Sequence, residues 1–208
     1  MPRPHCILSP VRTSETDPIR VDFLPRAARR LPGRIGLTFA PGKRDPVFGW
    51  NRDLGADLRR LRDHYGVRLL VPLVEDHELA LLGIEALVSE AQEVGLRVHR
   101  LPIRDVDVPT STDEVVVAVR VILAAATAGD TVVIHCRGGL GRAGTLGSCC
   151  LVALGRSPRQ AVHLVRSVRP GAVEMPAQEL FVESFAEAWA ASGDPRSPVV
   201  PGTRRQTG

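Results

Sequence analysis

Cys136 and Arg142 flank five residues in the stretch His135-Cys136-Arg137-Gly138-Gly139-Leu140-Gly141-Arg142, and an apolar run, Val132-Val133-Ile134, leads into it. Two chemistries compete for these residues. Read from the cysteine, a nucleophile is followed by a glycine-rich turn and an arginine, which suits wrapping a chain round a phosphate. Read from Gly139, the glycines at 139, 141 and 144 spell G-x-G-x-x-G, the spacing of a dinucleotide-binding turn. Both readings need a strand before the loop and a helix after it.

The dinucleotide reading lacks its second half. An acidic residue about 20 positions on must hold the ribose hydroxyls, but no Asp or Glu follows Gly144 until Glu174. The interval carries Arg156, Arg159, Arg166 and Arg169 instead, and several elements precede the loop where the fingerprint usually opens its fold. A nucleotide loop ending in Gly-Lys-Ser/Thr is absent as well.

Reading from Cys136 gives more residues a task. Gly138, Gly139 and Gly141 allow successive N–H groups to turn inward as an anion nest, and a helix starting beside Arg142 adds its positive end. The planar fork of Arg142 can hold two phosphate oxygens, a geometry lysine lacks. The same donors favour a thiolate on Cys136. His135 is expected to support the loop through a hydrogen bond rather than act as a base. Cys149 and Cys150 fall where the following helix should be buried, and so read as packing residues.

The elements around the loop follow from periodicity and punctuation. Short strands are expected near 19–24 and 34–39, a helix over 51–65 ended by Gly66, and a strand over 67–74. A helix over 77–94 with a break near Gly83 leads to a strand at 96–101 and a loop at 102–110. Ser111-Thr112-Asp113-Glu114 has capping-box spacing and opens a helix to about 128. A strand at 131–134 enters the loop, and helices follow over 143–154, 158–168 and 176–191, the second opened by Ser157-Pro158. Strands alternating with helices predict an α/β fold, a mainly parallel central sheet flanked by helices. The expected organisation is a partly ordered N-terminal extension at 1–32, one domain at 33–191, and a disordered tail at 192–208 rich in Pro, Gly, Ser and Arg.

Composition narrows the function classes. The 208 residues are 44% hydrophobic and 24% charged, an ordinary mix for a soluble domain. No apolar run approaches the roughly 18 residues of a membrane span, and the N-terminus lacks a secretory core, so the expectation is a cytoplasmic protein with no membrane partner. The net charge of +4 is spread over scattered arginines and aromatics are only 4%, which argues against a nucleic-acid interface. The four cysteines form neither a disulfide framework nor a metal-ligand spacing, so no metal and no cofactor are expected.

The loop His135–Arg142 resembles the signature H-C-x-x-G-x-G-R of the protein tyrosine phosphatase superfamily. Asp105, in Pro102-Ile103-Arg104-Asp105, precedes Cys136 by 31 residues, where that superfamily carries its general acid. The dual-specificity type is the nearest match. The chain is most similar to the cyclin-dependent-kinase-associated phosphatases (kinase inhibitor 3) in four segments: Gly36-Leu37 to Pro41-Gly42, the helix at 53–63, PIRDVDVP and HCRGGLGR. A further stretch, 166–172 with Gln178, is similar too, and the likeness spans 33–191. The resemblance implies Cys136 as nucleophile, Arg142 as transition-state clamp and Asp105 as acid and then base, with Asp107 the rival acid. It further implies phosphate binding by His135, Arg137, Gly138, Gly139, Leu140 and Gly141, and water positioning by Gln178.

Two departures qualify those expectations. Most members carry Ser or Thr after the arginine, where this chain has Ala143; Thr145 lies on the wrong face of a helix to replace it, so slow release of the phosphoenzyme is expected. Glu174 stands where the kinase-associated family has Gln. With a single tyrosine and few other aromatics to line a deep pocket, the expected substrates are phosphoproteins carrying phosphoserine, phosphothreonine or phosphotyrosine. Arg137 and Arg104 keep phosphoinositides and small phosphates open. A phosphate-recognising module with little turnover is the competing class.

Overall fold

The computed structural model describes residues 11–25 and 31–193. Its centre is a five-stranded sheet built from β1 (Asp22–Phe23), β2 (Arg34–Thr38), β5 (Val67–Pro72), β6 (Arg97–Val98) and β7 (Thr131–His135) in the order β1-β2-β7-β5-β6. All pairs are parallel except β1 with β2. The expected α/β architecture is therefore present, with one antiparallel edge supplied by the N-terminal segment. A separate ribbon, β3 (Arg44–Asp45) with β4 (Trp50–Asn51), sits outside this sheet and has no counterpart in the sequence expectations.

Helices cover both faces. On one side lie α1 (Leu54–Asp63), α2 (Asp76–Leu81) and α3 (Leu87–Glu93); on the other lie α4 (Thr112–Thr127), α5 (Gly141–Ala153), α6 (Pro158–Val168) and α7 (Pro176–Ala191). Central strand β7 serves both layers: Val132 and Ile134 join the α4–α7 core, and Val133 joins the α1–α3 core. Fully burying an aliphatic side chain of this kind stabilises by about 1.5–3 kcal/mol. In β5 the register against β7 shifts between Val67 and Leu69. Arg68 is thus left exposed, while Val67 and Leu70 share one layer and Leu69 and Val71 the other.

Helix boundaries differ from the periodicity where a cap intervenes. Helix α1 begins at Leu54 because Asp53 accepts a hydrogen bond from the Ala56 amide, leaving Asn51 to the ribbon. The expected helix over 77–94 divides into α2 and α3. Ser111 and Ser157 cap α4 and α6, and Ser157 completes a capping box with Gln160. Only Arg97–Val98 of the expected strand 96–101 is regular, although His99 and Leu101 still donate to Leu70 and Pro72 of β5. The expected tail falls largely outside the described residues, as does Cys6.

Helix α5 determines where the site sits. All thirteen of its residues are buried, so it runs through the interior between β2 and the other three helices of its layer. Its N-terminus faces the C-terminal ends of the parallel strands, the position where open α/β sheets bind ligands. Among the described residues no helix is long and apolar enough to cross a membrane.

Candidate active site

Strand β7 delivers His135 and then Cys136 to the mouth of α5. Cys136 is 4% exposed, and its Sγ accepts a hydrogen bond from the Gly139 amide at 3.1 Å. The turn needs glycine at 139, while at 141 a Cβ would have to push aside the flexible ends of Glu174 and Gln178. Gly139 has φ +73° and would bring a Cβ within 2.3 Å of the Thr38 carbonyl. Gly141 would bring one within 2.5 Å of a Glu174 carboxylate oxygen. Gly138 has neither constraint, contrary to its expected part in curling the chain: its α-carbon faces open space. The N-cap residue of α5, Leu140, provides no side-chain cap. The first amides of a buried helix are therefore left for a ligand at its positive end.

Arg142, in the first turn of α5, is 2% exposed and tightly held. Its Nη1 donates to Glu78 Oε2 at 2.6 Å and to the Ile103 carbonyl at 2.8 Å, while Nη2 donates to Glu78 Oε1 at 2.8 Å. Such a bidentate clamp fixes the plane of the guanidinium. Burial alone would ease its proton off, but the bonds from Glu78 and the charges of Cys136, Glu78 and Asp105 outweigh that and raise its pKa. Burial likewise pushes the Glu78 carboxyl up, yet Arg142 and the Glu75 amide bring it below the ordinary value. Glu78 was missed in the sequence. It lies in α2, 64 residues from Arg142, and reads locally as the third residue of a capping box, a task it also performs by accepting from the Glu75 amide.

Asp105 also reaches Arg142, at a nitrogen it shares with Glu78. Its Oδ1 lies 2.7 Å from Nη2, and its side chain is 44% exposed. The next residue, Val106, adopts φ 58°, a left-handed conformation unfavourable for a β-branched side chain. Asp107, the rival acid, turns its carboxylate to the Val108 amide at 2.8 Å. Its backbone carbonyl accepts from Gln178 Nε2 at 3.2 Å, and Gln178 Oε1 accepts from the Glu174 amide at 2.9 Å. Gln178, 1% exposed, thus ties the Asp105 loop to the 174 segment beside Gly141.

The remaining expected site residues divide. His135 is fully buried; burial lowers its pKa to about 4, and its Nδ1 lies 3.4 Å from the Cys136 carbonyl. A neutral ring in that position supports the loop. Arg137 is drawn aside into an ion pair with Asp45 at 2.8 Å, so its charge is already answered on the β3–β4 ribbon. Arg104 is exposed. Thr145 Oγ1 donates back to the Gly141 carbonyl at 2.8 Å, away from Cys136. Burial pushes the Cys150 thiol up to about 12 and raises Cys149 well above its usual value, as packing residues require.

Lys43 forms the shoulder of the loop. It is 7% exposed, its Nζ is 3.5 Å from the Arg137 carbonyl, and it stands 4.0 Å from the Trp50 ring centre. Burial lowers its pKa to about 8, against the pull of Asp45 and with help from Arg12, Arg137 and Arg52.

Comparison with known proteins bears on the fold and the family. Over 182 residues the chain is 28% identical to cyclin-dependent kinase inhibitor 3 of Rattus norvegicus, covering 85% of this chain and 83% of that protein. Its fold matches that of kinase associated phosphatase crystallised with its catalytic-site cysteine replaced by serine, with a TM-score of 0.75 over 83% of this chain and 97% of the other at 23% identity. It also matches Tk-PTP in its active form, at 30% identity and a TM-score of 0.62, over 80% of this chain and 96% of that one. Residues 51–182, more than half of the sequence, fit the family described as PTP-SAK, Swiss Army Knife protein, DSP-PTPase phosphatase domain. With a cysteine and arginine gathered at one uncapped helix terminus, the chain belongs to this dual-specificity phosphatase family.

Proposed function

We propose that the protein hydrolyses phosphomonoesters, phosphoproteins foremost, through a cysteinyl-phosphate on Cys136 and without a metal ion. The observation that carries this reading is the convergence on one point of Cys136 Sγ, the Gly139 amide, the open N-terminus of α5, and Arg142 paired with Asp105. In the first step the thiolate forms the S–P bond as the P–O bond to the leaving group breaks. Asp105 gives its proton to the departing oxygen. Arg142 and the loop amides stabilise charge on the non-bridging oxygens, the task a metal performs elsewhere. In the second step water attacks phosphorus, Asp105 takes its proton, and the S–P bond breaks to return the thiolate. Gln178, whose side-chain amide lies beside Gly141, would orient that water.

Asp105 occupies Arg142 Nη2, so an arriving phosphate must displace it to use that donor. That displacement frees the carboxyl to face the leaving group. Substrate class is inferred more broadly. Some relatives are named for a kinase, and the fold neighbour PTPMT1 was crystallised with PI(5)P; the exposed Arg104 fits either kind of anionic substrate.

Ala143 favours a second reading, a phosphate-binding module with little turnover. It is fully buried and brings no hydroxyl to help the thiolate depart. Rapid-quench kinetics with an aryl phosphate separates the two. The enzyme reading expects a burst of phenol matched by phosphate on Cys136, loss of both in Cys136→Ser, and faster steady-state turnover in Ala143→Ser. Hydrolysis that survives Cys136→Ser would overturn the mechanism, while phosphopeptide binding without any burst would favour the module.

A further inference from the structure

The loop that holds Cys136 has a second arginine behind it. Arg169, the residue that ends α6, donates from Nη2 to the Gly138 carbonyl at 2.9 Å and from Nε to the Gly139 carbonyl. Its Nη1 is ion-paired with Asp22 of β1. One planar guanidinium therefore spans two consecutive carbonyls and a carboxylate, and its side chain is 14% exposed.

Peptide planarity turns this grip into an orientation of the site. In a trans peptide the C=O of one residue and the N–H of the next point in opposite directions. Holding the Gly138 carbonyl outward aims the Gly139 N–H inward, where it meets Cys136 Sγ at 3.1 Å. Holding the Gly139 carbonyl outward aims the Leu140 N–H inward in the same way. Without a partner, two outward carbonyls could flip and set their oxygens against the thiolate. Gly139, at φ +73°, has little intrinsic resistance to such a flip.

We propose that Arg169 is a positioning residue that fixes the inward amides of the 138–140 turn, and that Asp22 positions Arg169. The N-terminal segment, which lies outside the matched region 51–182, is then part of the active site's frame. Strand β1 reaches this point by pairing with β2, with Asp22 opposite Leu37, and Ile19 and Val21 are buried under α1. The inference rests on the phosphatase reading for its consequence in turnover but not for its geometry.

The test therefore includes a readout independent of hydrolysis: the pH dependence of Cys136 alkylation by iodoacetate. Arg169→Lys keeps the charge and loses the fork. It should slow Cys136 alkylation near neutral pH, weaken vanadate binding, and lower kcat for an aryl phosphate by about 10²-fold, the cost of a small misplacement of catalytic groups. Asp22→Asn leaves the fold of the loop intact and should lower kcat by about fivefold, since a neutral partner makes a weaker bond. In the double variant the Asp22→Asn effect should shrink, because the fork that Asp22 steadies is already gone. An unchanged alkylation profile in both single variants, or additive effects in the double, would overturn the proposal. If Arg169→Lys fails to fold, Asp22→Asn alone decides through its alkylation profile. If the wild-type protein neither hydrolyses the ester nor binds vanadate, the phosphatase reading falls, and the alkylation profiles still decide the positioning role.

Discussion

Arg142 is approached by two carboxylates from two regions of unlike character. Behind it, Glu78 on α2 is 3% exposed and makes two charge-assisted bonds. In front, Asp105 stands on an exposed loop and makes one contact, to Nη2. Burial decides what each pair is worth. A buried pair is costly to break because the remaining charge is stranded. An exposed pair is screened by water and held by less than about 1 kcal/mol. The rear carboxylate can serve only as a fixture, whereas the front one can let go, as the proposed acid must.

Replacing the front carboxylate should therefore disturb chemistry and spare the fold. Asp105→Asn is expected to lower kcat by roughly 10²- to 10⁴-fold, the usual contribution of a general acid. Its thermal unfolding should stay close to wild type, and vanadate binding should hold or tighten once a competing carboxylate leaves Nη2. A fall in stability comparable to that of the rear variant would break the contrast.

For the rear carboxylate both properties should suffer. Glu78→Gln is expected to cost about 3 kcal/mol in denaturant unfolding at pH 7 and about 10²-fold in kcat through a loosened guanidinium. The pH dependence has a definite sign. The Glu78 carboxyl lies lower in the folded protein than its ordinary 4.5, so its stabilisation is complete above that pH and fades as pH falls through the folded value. The gap between wild type and Glu78→Gln should accordingly shrink at pH 4. A gap that is constant with pH would mean that the pair does not act through its charge.

The smallest effect belongs to Val106, beside Asp105. Its left-handed backbone suits asparagine better than valine, and its side chain is 69% exposed. Val106→Asn should stabilise the protein by up to about 1 kcal/mol, seen as a higher unfolding midpoint. An accompanying drop in kcat would indicate that strain at 106 helps the acid loop to move.

How much of this was legible depends on sequence distance. The loop 136–142 carries Cys136, its glycines and Arg142 in one strand–turn–helix unit, so spacing alone displays it. The caps at Ser111 and Ser157 were readable for the same reason. Glu78 and Asp22 were not, because their meetings with Arg142 and Arg169 span 64 and 147 residues and depend on which strand lies beside which. Locally Glu78 is a cap residue and Asp22 a polar position in a short strand. The bulge at Arg68 and the β3–β4 ribbon likewise arise from pairing partners that no local period announces. Arg137 misled in the other direction: its place in the loop suggested substrate contact, but Asp45 on the ribbon claims its side chain.

Lys43 has a practical consequence. It is the sequence's only lysine, the other basic side chains among its 27 Lys and Arg being arginine. An amine-reactive reagent thus has a single side-chain target, an amine whose proton leaves near pH 8 but which is wedged against Trp50 and the Arg137 carbonyl. Reagent can reach it only when that wall opens, so the rate of labelling measures local opening of the active-site shoulder. The protein carries its own clock for the opening of the loop around Cys136.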